Sequence, residues 1–419
     1  VPPSLVGKGA RGLGLPWLVA GGVAVALQLT AGHTQEAYYS LFALGLLALG
    51  FTIFPPARAP RRWTHLPAYA LIVVNGTLLA SAQLLPAIEL SRHSYRQGGI
   101  PLEEAVAYAV ERTHILETLL PTFWSLPSQE VTGYVGVAAL PLAAAALAAS
   151  PARRTVLALA ALALLAIALT LGAYTPVYPL LYTWAPLFDS FRAPGRWLLI
   201  STFALAGLAA HGATALRRAP SPLARERTAL GYGIALAGAA GCLAFVVWRT
   251  NEVGAIQWLP HARVAVFWGV AAVGAMALGL VSIFSRPGWP RVVLTAGLAL
   301  ELALAAREME YNRPGAPDLY AESPAIATYL EHASRDDPFG PPMDRVASIA
   351  VEERLDSARL QRAVPHGDGE YRRYASMREA LKPNLGLVYG LPTIDGYDGG
   401  LLPTRDYARF KALLVTAEP

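Results

Sequence analysis

The sequence predicts an α-helical polytopic membrane protein with about nine transmembrane helices, followed by a small α+β domain outside the cytoplasm. Hydrophobic residues make up 54% of the 419 residues and charged residues only 15%. With a mean hydropathy of +0.39, the chain is too apolar for a set of soluble domains. Charge is also unevenly placed, since residues 308–419 carry 13 basic and 18 acidic side chains whereas the rest of the chain is basic. The chain therefore has two parts.

The predicted spans are the stretches that satisfy the length requirement of a bilayer. A hydrocarbon core about 30 Å thick requires roughly 20 apolar residues in a helix. We assign residues 1–307 to a transmembrane domain and residues 308–419 to an extracytoplasmic α+β domain. The spans are about 13–30, 38–55, 66–86, 132–150, 155–173, 196–216, 228–248, 263–285 and 291–307.

Orientation follows from the connections between these spans. Arg and Lys cluster in every second connection, which marks the cytoplasmic side. Nine of the 11 acids before residue 308 fall in the opposite connections. An odd number of crossings that starts inside the cell places 308–419 outside the cytoplasm. The basic excess lies between apolar segments, so we expect membrane lipid, and not nucleic acid, to be its partner.

Two outside connections are too long and too apolar to be plain loops. In residues 101–120, Pro101 followed by acidic residues favours a helix start, and we expect this helix to lie along the outer membrane surface. Residues 174–191 are aromatic but interrupted by three prolines, which predicts a re-entrant or interfacial hairpin. Irregular backbone at that depth is tolerated where it lines a cavity, so the hairpin is a candidate wall of a site.

The acidic tail has the pattern of a small α+β unit. SPAIATYLEHA begins with a Ser-Pro helix start, and RDYARFKALLV is typical of an amphipathic helix. RVASIAV and LGLVYG are rich in β-forming residues and end at turn residues, which predicts strands.

Polar residues gather at the outward ends of the predicted spans. Arg192 and Arg196 have i, i+4 spacing on the chain that enters the sixth span, so both guanidiniums can point to one side and bind a phosphate or pyrophosphate at headgroup depth. The alternative is that both snorkel to lipid headgroups. The other members of the set are His33, Gln35, Glu36, Gln83, Glu89 and Arg92.

The sequence allows more than one role for each of the remaining ionisable groups. His33 with Glu36 fits an acid/base pair or a satisfied loop, and one imidazole with one carboxylate falls short of a metal site. Glu89 with Arg92 fits a plain interfacial ion pair. Glu301 is the only acid inside a predicted span, where it is either functional or a hydrogen-bonded structural residue. With one cysteine in the chain, Cys242, the sequence predicts no metal centre and no cofactor, while a divalent-ion requirement stays open.

Four segments, in their order along the chain, resemble the YfhO-like bacterial membrane proteins. They are Gly32-His33-Thr34-Gln35 with Tyr38-Tyr39, the run 83–89 with Ser91 and Arg92, Phe191-Arg192-Ala193-Pro194-Gly195-Arg196, and Gly396-Tyr397-Asp398. That family belongs to the GT-C type of integral membrane glycosyltransferases, which transfer a sugar from a polyprenyl-phosphate carrier to an acceptor outside the cytoplasm. The resemblance spans about residues 30–410 and implies the bacterial inner membrane.

The resemblance implies a division of roles among the polar residues. Arg192 and Arg196 would bind the carrier phosphate, with His33, Gln35, Gln83 and Arg92 completing the substrate pocket. Glu36 and Glu89 are the candidate catalytic bases for an acceptor in the cell-envelope glycan, teichoic acid or protein. Family members run longer at both ends, with an acidic loop near the front, so we expect this chain to be a segment of a longer enzyme.

Two other classes of function are compatible with the same sequence. A non-catalytic subunit of a larger membrane assembly would use the spans as scaffold for partner subunits. A lipid or solute transporter would need polar residues near the bilayer midplane, whereas here they gather at the span ends.

Overall fold

The structure, a computed structural model, is mostly helical in the part of the chain that it describes. No β-strand occurs there, and an isolated antiparallel bridge joins Ser94 to Thr404. The described residues are 15–55, 64–94, 96–112, 115, 132–218, 289–307, 323–335, 377–379, 381, 385–391, 393 and 404–416, with separate positions between 226 and 281.

The α-helices are numbered here in chain order. Three short 3-10 helices, Gly172–Tyr174, Phe188–Ser190 and Pro194–Trp197, lie between α7 and α9. The helices are α1 (Leu15–Thr30), α2 (Thr34–Ile53), α3 (His65–Leu79), α4 (Ser81–His93), α5 (Leu102–Ala105), α6 (Ala139–Ala149), α7 (Arg153–Thr170), α8 (Val177–Trp184), α9 (Leu198–Arg218), α10 (Trp289–Arg307), α11 (Ala325–Arg335), α12 (Leu385–Val388) and α13 (Arg405–Thr416).

Apolar helices of membrane-spanning length are compatible with the predicted helical membrane class. Within the described residues, α2, α7 and the stretch Pro194–Ala215 are each long and apolar enough to cross a bilayer. The pair α3 and α4 makes a fourth if the two are one broken span. The predicted spans 228–248 and 263–285 lie mostly outside the described residues, and the positions described within them are helical. The count of nine spans and the orientation stay predictions.

The predicted third span is not straight. Helices α3 and α4 meet at Ala80 with a bend of 81°. Ala80 has φ −85° and ψ 0°, outside regular helical geometry. Hydropathy reports length and composition and contains no information on direction, so the span predicted at about 66–86 gives no sign of this bend.

Close helix packing in this part of the chain depends on glycine. A Cβ on Gly76 of α3 would lie 2.5 Å from Val25 and 2.8 Å from the carbonyl oxygen of Gly22 on α1. On α9, a Cβ on Gly212 would overlap the carbonyl oxygen of Leu142 on α6. Small residues let helix backbones approach closely, which is the usual means of packing apolar helices in lipid.

Two predicted elements are shorter than expected. The helix predicted over 101–120 ends at Ala105 among the described residues, because Tyr108 takes a left-handed conformation with φ 61° that no helix continues through. Where a helix was predicted over 132–150, residues 132–138 are irregular and α6 begins only at Ala139.

The chain divides into two compact units by its internal contacts. The first comprises Val1–Ile88 and Gly98–Asn312, and the second comprises Glu89–Gln97 and Arg313–Pro419. In the second unit Arg405 donates from Nε to the carbonyl oxygen of Ser94, 3.3 Å away, and from Nη2 to the side-chain oxygen of Gln97. These bonds tie the start of α13 to the end of α4.

The described tail is helical where helices were predicted and also at one predicted strand. Helices α11 and α13 confirm the two helix predictions. Residues 385–388 of LGLVYG form α12 instead of a strand, with Gly386 close to Leu391 and Thr393. β-propensity depends on a neighbouring strand, and none pairs with this segment among the described residues. RVASIAV lies outside the described residues, so an α+β tail stays a prediction.

Candidate functional site at the start of α2

The candidate site, which we call the polar cluster, joins the start of α2 to the segment that precedes α9. Gly32 has φ 88°, a left-handed conformation that glycine adopts without steric cost, and this turn leads the chain from α1 into His33. On the second segment, Ala193 also has a positive φ of 61° and is almost fully buried. A non-glycine residue persists in that conformation only when its surroundings hold it there.

Gln35 is the residue that connects the two segments. Its side chain is buried, with 6% exposed. Its Nε2 donates to the Tyr39 hydroxyl at 2.8 Å and to the carbonyl oxygen of Arg192. Its Oε1 accepts a hydrogen bond from Nη1 of Arg196 at 2.8 Å. All parts of the amide are therefore engaged, which fixes the Arg196 guanidinium relative to α2.

His33 and Glu36 lie at the open side of the polar cluster. Nη1 of Arg196 is 3.4 Å from Nε2 of His33, and Nδ1 of His33 is 3.8 Å from Oε1 of Glu36. Because a guanidinium has only donors, Nε2 is the acceptor in this contact, which leaves the ring proton on Nδ1, facing Glu36. About half of each side chain is exposed, at 49% for His33 and 48% for Glu36.

An aromatic core supports the polar cluster. The ring of Tyr39 stacks on Trp197, with centroids 4.0 Å apart and an interplanar angle of 23°. Phe188 is stacked on the same indole at 6.0 Å. Tyr39, Phe188 and Trp197 are each at most 2% exposed. Offset stacking of large buried rings resists displacement, so the residues that flank these rings are held in place.

Residues 174–191 pack around this core as a broken segment of short helices. The Tyr38 hydroxyl donates to the carbonyl oxygen of Pro186 at 2.8 Å, and the Tyr182 hydroxyl donates to that of Ile100 at 2.6 Å. Tyr178 is fully buried and donates to the carbonyl oxygen of Ala105 at 3.1 Å. Burial, with a smaller contribution from Tyr39, raises the pKa of Tyr178 above its ordinary value, so its hydroxyl stays a donor.

The structure brings together five of the eight predicted site residues. His33, Gln35, Glu36 and Arg196 meet through side chains, and Arg192 joins them through its carbonyl oxygen. The predicted i, i+4 arrangement is not one turn of α-helix, because Ala193 is left-handed and Pro194–Trp197 is a 3-10 helix.

The other three predicted residues lie on α4. Gln83 belongs to the first unit and is exposed. Glu89 and Arg92 belong to the second unit, and both are exposed. Within the described residues, the structure records no ion pair between Glu89 and Arg92.

Sequence reasoning assigned no role in the site to Tyr39 or Trp197. The i, i+4 spacing of Gln35 and Tyr39 places both on one face of α2, which is a usable signal once the helix start is known. Trp197 directly follows Arg196 and looks, in sequence, like the first apolar residue of a span.

Glu301 is a buried acidic residue of the first unit. It lies in α10 with 7% exposed and accepts hydrogen bonds on Oε1 from the Tyr134 hydroxyl and from the backbone N–H of Val137, 2.7 Å away. These bonds join α10 to the irregular segment 132–138. The geometry corresponds to the hydrogen-bonded structural alternative for this residue.

Among the described residues, no three His, Cys, Asp or Glu side chains come close enough together to hold a metal ion. Comparisons with protein-family models, curated proteins and solved structures found no match.

Proposed function

We propose that this chain takes part in sugar transfer from a polyprenyl-phosphate carrier, as its resemblance to the GT-C glycosyltransferases implies, and that Arg196 binds the carrier phosphate. The observation that carries the proposal is the hydrogen bond between Gln35 and Arg196. It holds a guanidinium at the end of two helices of membrane-spanning length. A carrier lipid presents its phosphate at that level of a bilayer, where its polyprenyl chain meets water.

Preorganisation of the cation supports this reading. A guanidinium that is already fixed loses little conformational entropy when an anion binds, and its planar fork matches two phosphate oxygens. The first turn of α2 adds partial positive charge beside it, since the first backbone N–H groups of a helix have no partner within that helix. An Arg that only reaches for bulk headgroups requires no buried glutamine to hold it.

The proposed sugar transfer breaks one bond and forms another, and the polar cluster supplies the groups that assist both. The bond between the anomeric carbon and the phosphate oxygen breaks, and its electron pair leaves with the carrier phosphate. The acceptor oxygen forms the new bond to that carbon. Arg196 offsets the charge that develops on the leaving phosphate.

The acceptor proton requires a base, and Glu36 is the carboxylate of the polar cluster. Nδ1 of His33 lies 3.8 Å from Oε1 of Glu36, so the imidazole places a donor beside this carboxylate at the open side of the cluster. General base catalysis of this kind contributes roughly 10²- to 10⁴-fold to a rate. Glu89, on α4, is the alternative base that the sequence offers.

A binding experiment tests the phosphate assignment. The purified full chain in detergent is titrated with a polyprenyl phosphate and, as a chemical control, with the corresponding polyprenol. Arg196→Lys keeps the charge but removes the planar fork, so we expect binding of the phosphate to weaken about tenfold or more. Arg112→Lys is the matched control, because Arg112 is an exposed arginine that donates to the carbonyl oxygen of Tyr174.

Three outcomes would contradict the assignment. They are equal binding of polyprenol and polyprenyl phosphate, unchanged binding in Arg196→Lys, and an equal loss in Arg112→Lys. If phosphate binding is lost as expected but a panel of polyprenyl-phosphate sugars gives no turnover, the chain binds the carrier as a non-catalytic subunit.

A further inference from the structure

A groove between α2 and α7 lies toward the ends of these helices away from the polar cluster. It has a volume of about 480 Å³. Helix α2 contributes Leu46 and Gly50, and Phe54 follows directly after it. The facing helix contributes Leu157 and Leu165, and the remaining lining side chains are apolar apart from one. That one is Arg154, in the first turn of α7.

The Arg154 guanidinium is held at the end of the groove by one hydrogen bond to the described residues, which uses one of its N–H donors. Its Nη1 donates at 2.5 Å to the carbonyl oxygen of Pro55, two residues after the end of α2. A guanidinium has five N–H donors, and the described residues supply Arg154 with no other recorded partner. Its side chain is exposed. One end of an otherwise apolar groove therefore presents a fixed cation with open donor positions.

The length of the groove matches one leaflet of a bilayer. From Arg154 to Leu165 a helix rises roughly 16 Å, since each residue adds about 1.5 Å. Half of a hydrocarbon core about 30 Å thick is close to the same length. Both helices that form the groove are of membrane-spanning length and composition.

We propose that this groove binds one acyl chain of an anionic phospholipid, whose phosphate is held by Arg154. The apolar walls accommodate the chain over the depth of one leaflet, and the guanidinium provides bidentate contacts for the phosphate at the surface. Charge complementarity selects an anionic headgroup, because a zwitterionic lipid places its own cation beside Arg154. The site is separate from the polar cluster, since His33 precedes the first residue of α2 whereas Arg154 contacts Pro55, two residues beyond its last residue.

The neighbouring arginine provides an internal control. Arg153 is exposed like Arg154 and precedes it by one residue, but it does not line the groove. Arg153→Gln and Arg154→Gln therefore remove the same charge from the same helix end. General attraction of the surface to anionic lipid is affected equally by both changes, whereas a built site depends on Arg154.

The groove itself can be closed by one substitution. A Cβ on Gly50 meets no atom within 4 Å, so a larger side chain at this position extends into open space without moving the helices. Gly50→Leu should therefore remove the acyl-chain site while leaving both arginines and the bond to Pro55 in place.

The experiment measures lipid retention by native mass spectrometry and thermal stabilisation of the purified full chain. Phosphatidylglycerol and phosphatidylcholine with identical acyl chains are compared, together with glycerol phosphate, which has no chain. We expect phosphatidylglycerol to be retained at least about tenfold more strongly than the other two. Arg154→Gln and Gly50→Leu should each abolish this preference, and Arg153→Gln should keep it.

Each contrary result overturns the proposal. Equal retention of the two lipids shows that Arg154 does not select an anionic headgroup. An equal effect of glycerol phosphate shows a free anion site without a chain. Equal losses in Arg153→Gln and Arg154→Gln show a diffuse surface charge. Full retention in Gly50→Leu shows that the chain lies elsewhere, and because Gly50→Leu leaves Arg154 intact, this result is independent of any instability in Arg154→Gln.

Discussion

The side-chain oxygen of Gln35 accepts a hydrogen bond from the Arg196 guanidinium at 2.8 Å, although the two residues are 161 positions apart in the chain. The same amide donates to the Arg192 carbonyl, so one buried side chain holds the whole turn before α9. Both hydrogen bonds run from α2 to the segment that precedes α9. The candidate site therefore exists only when α2 and α9 are packed together.

Gln35→Leu should destabilise the chain and loosen Arg196. Leucine has a similar size but removes the amide that donates to the Arg192 carbonyl and the Tyr39 hydroxyl, and the loss of such buried hydrogen bonds costs about 1 to 3 kcal/mol. Thermal unfolding in detergent measures the loss. Gln83→Leu is the control, because Gln83 is exposed on α4 and should change stability little. Equal melting temperatures for the two variants would contradict the role given to Gln35.

Glu301 should behave as a structural acceptor. Glu301→Leu leaves the Tyr134 hydroxyl and the Val137 N–H unpaired, and we expect a loss of about 2 to 5 kcal/mol of unfolding free energy. Glu301→Gln retains an oxygen at the same place and should cost clearly less. If the two variants unfold alike, acceptance of these hydrogen bonds is not what Glu301 contributes.

Gly212→Ala should separate α9 from α6, because the added Cβ would overlap the carbonyl oxygen of Leu142. Overpacking against backbone costs about 1 to 3 kcal/mol, measured as a lower unfolding temperature. Gly50→Ala is the matched control, since its Cβ meets no atom within 4 Å and alanine favours helix. If Gly50→Ala lowers the unfolding temperature and Gly212→Ala does not, then α9 and α6 do not pack closely at Gly212.

The orientation predicted from the arginine alternation can be tested by thiol labelling. Ser323 is exposed and precedes α11, so Ser323→Cys on a Cys242→Ala background should react with a membrane-impermeant reagent in intact cells. Arg153→Cys on the same background should react only after lysis. Labelling in the opposite pattern would place the acidic tail in the cytoplasm.

Local pattern was sufficient where an element is defined by its own residues. The apolar run of α7 predicts a helix over 155–173, and the structure has it at Arg153–Thr170. The amphipathic spacing in RDYARFKALLV likewise corresponds to α13. Prediction failed where a conformation depends on neighbours, as in α12, whose β-rich sequence has no strand to pair with among the described residues.

The sequence alone determined that the chain is apolar and helical. Burial of side chains in lipid depends on composition, and an apolar stretch of about 20 residues must form its backbone hydrogen bonds within a helix. It also marked His33, Gln35, Glu36, Arg192 and Arg196 as unusual polar residues at span ends. Only the tertiary structure decided that these five residues form one cluster. The bend at Ala80 and the left-handed turn at Ala193 were likewise decided there, since directions and long-range hydrogen bonds arise from packing and are not encoded in any local window.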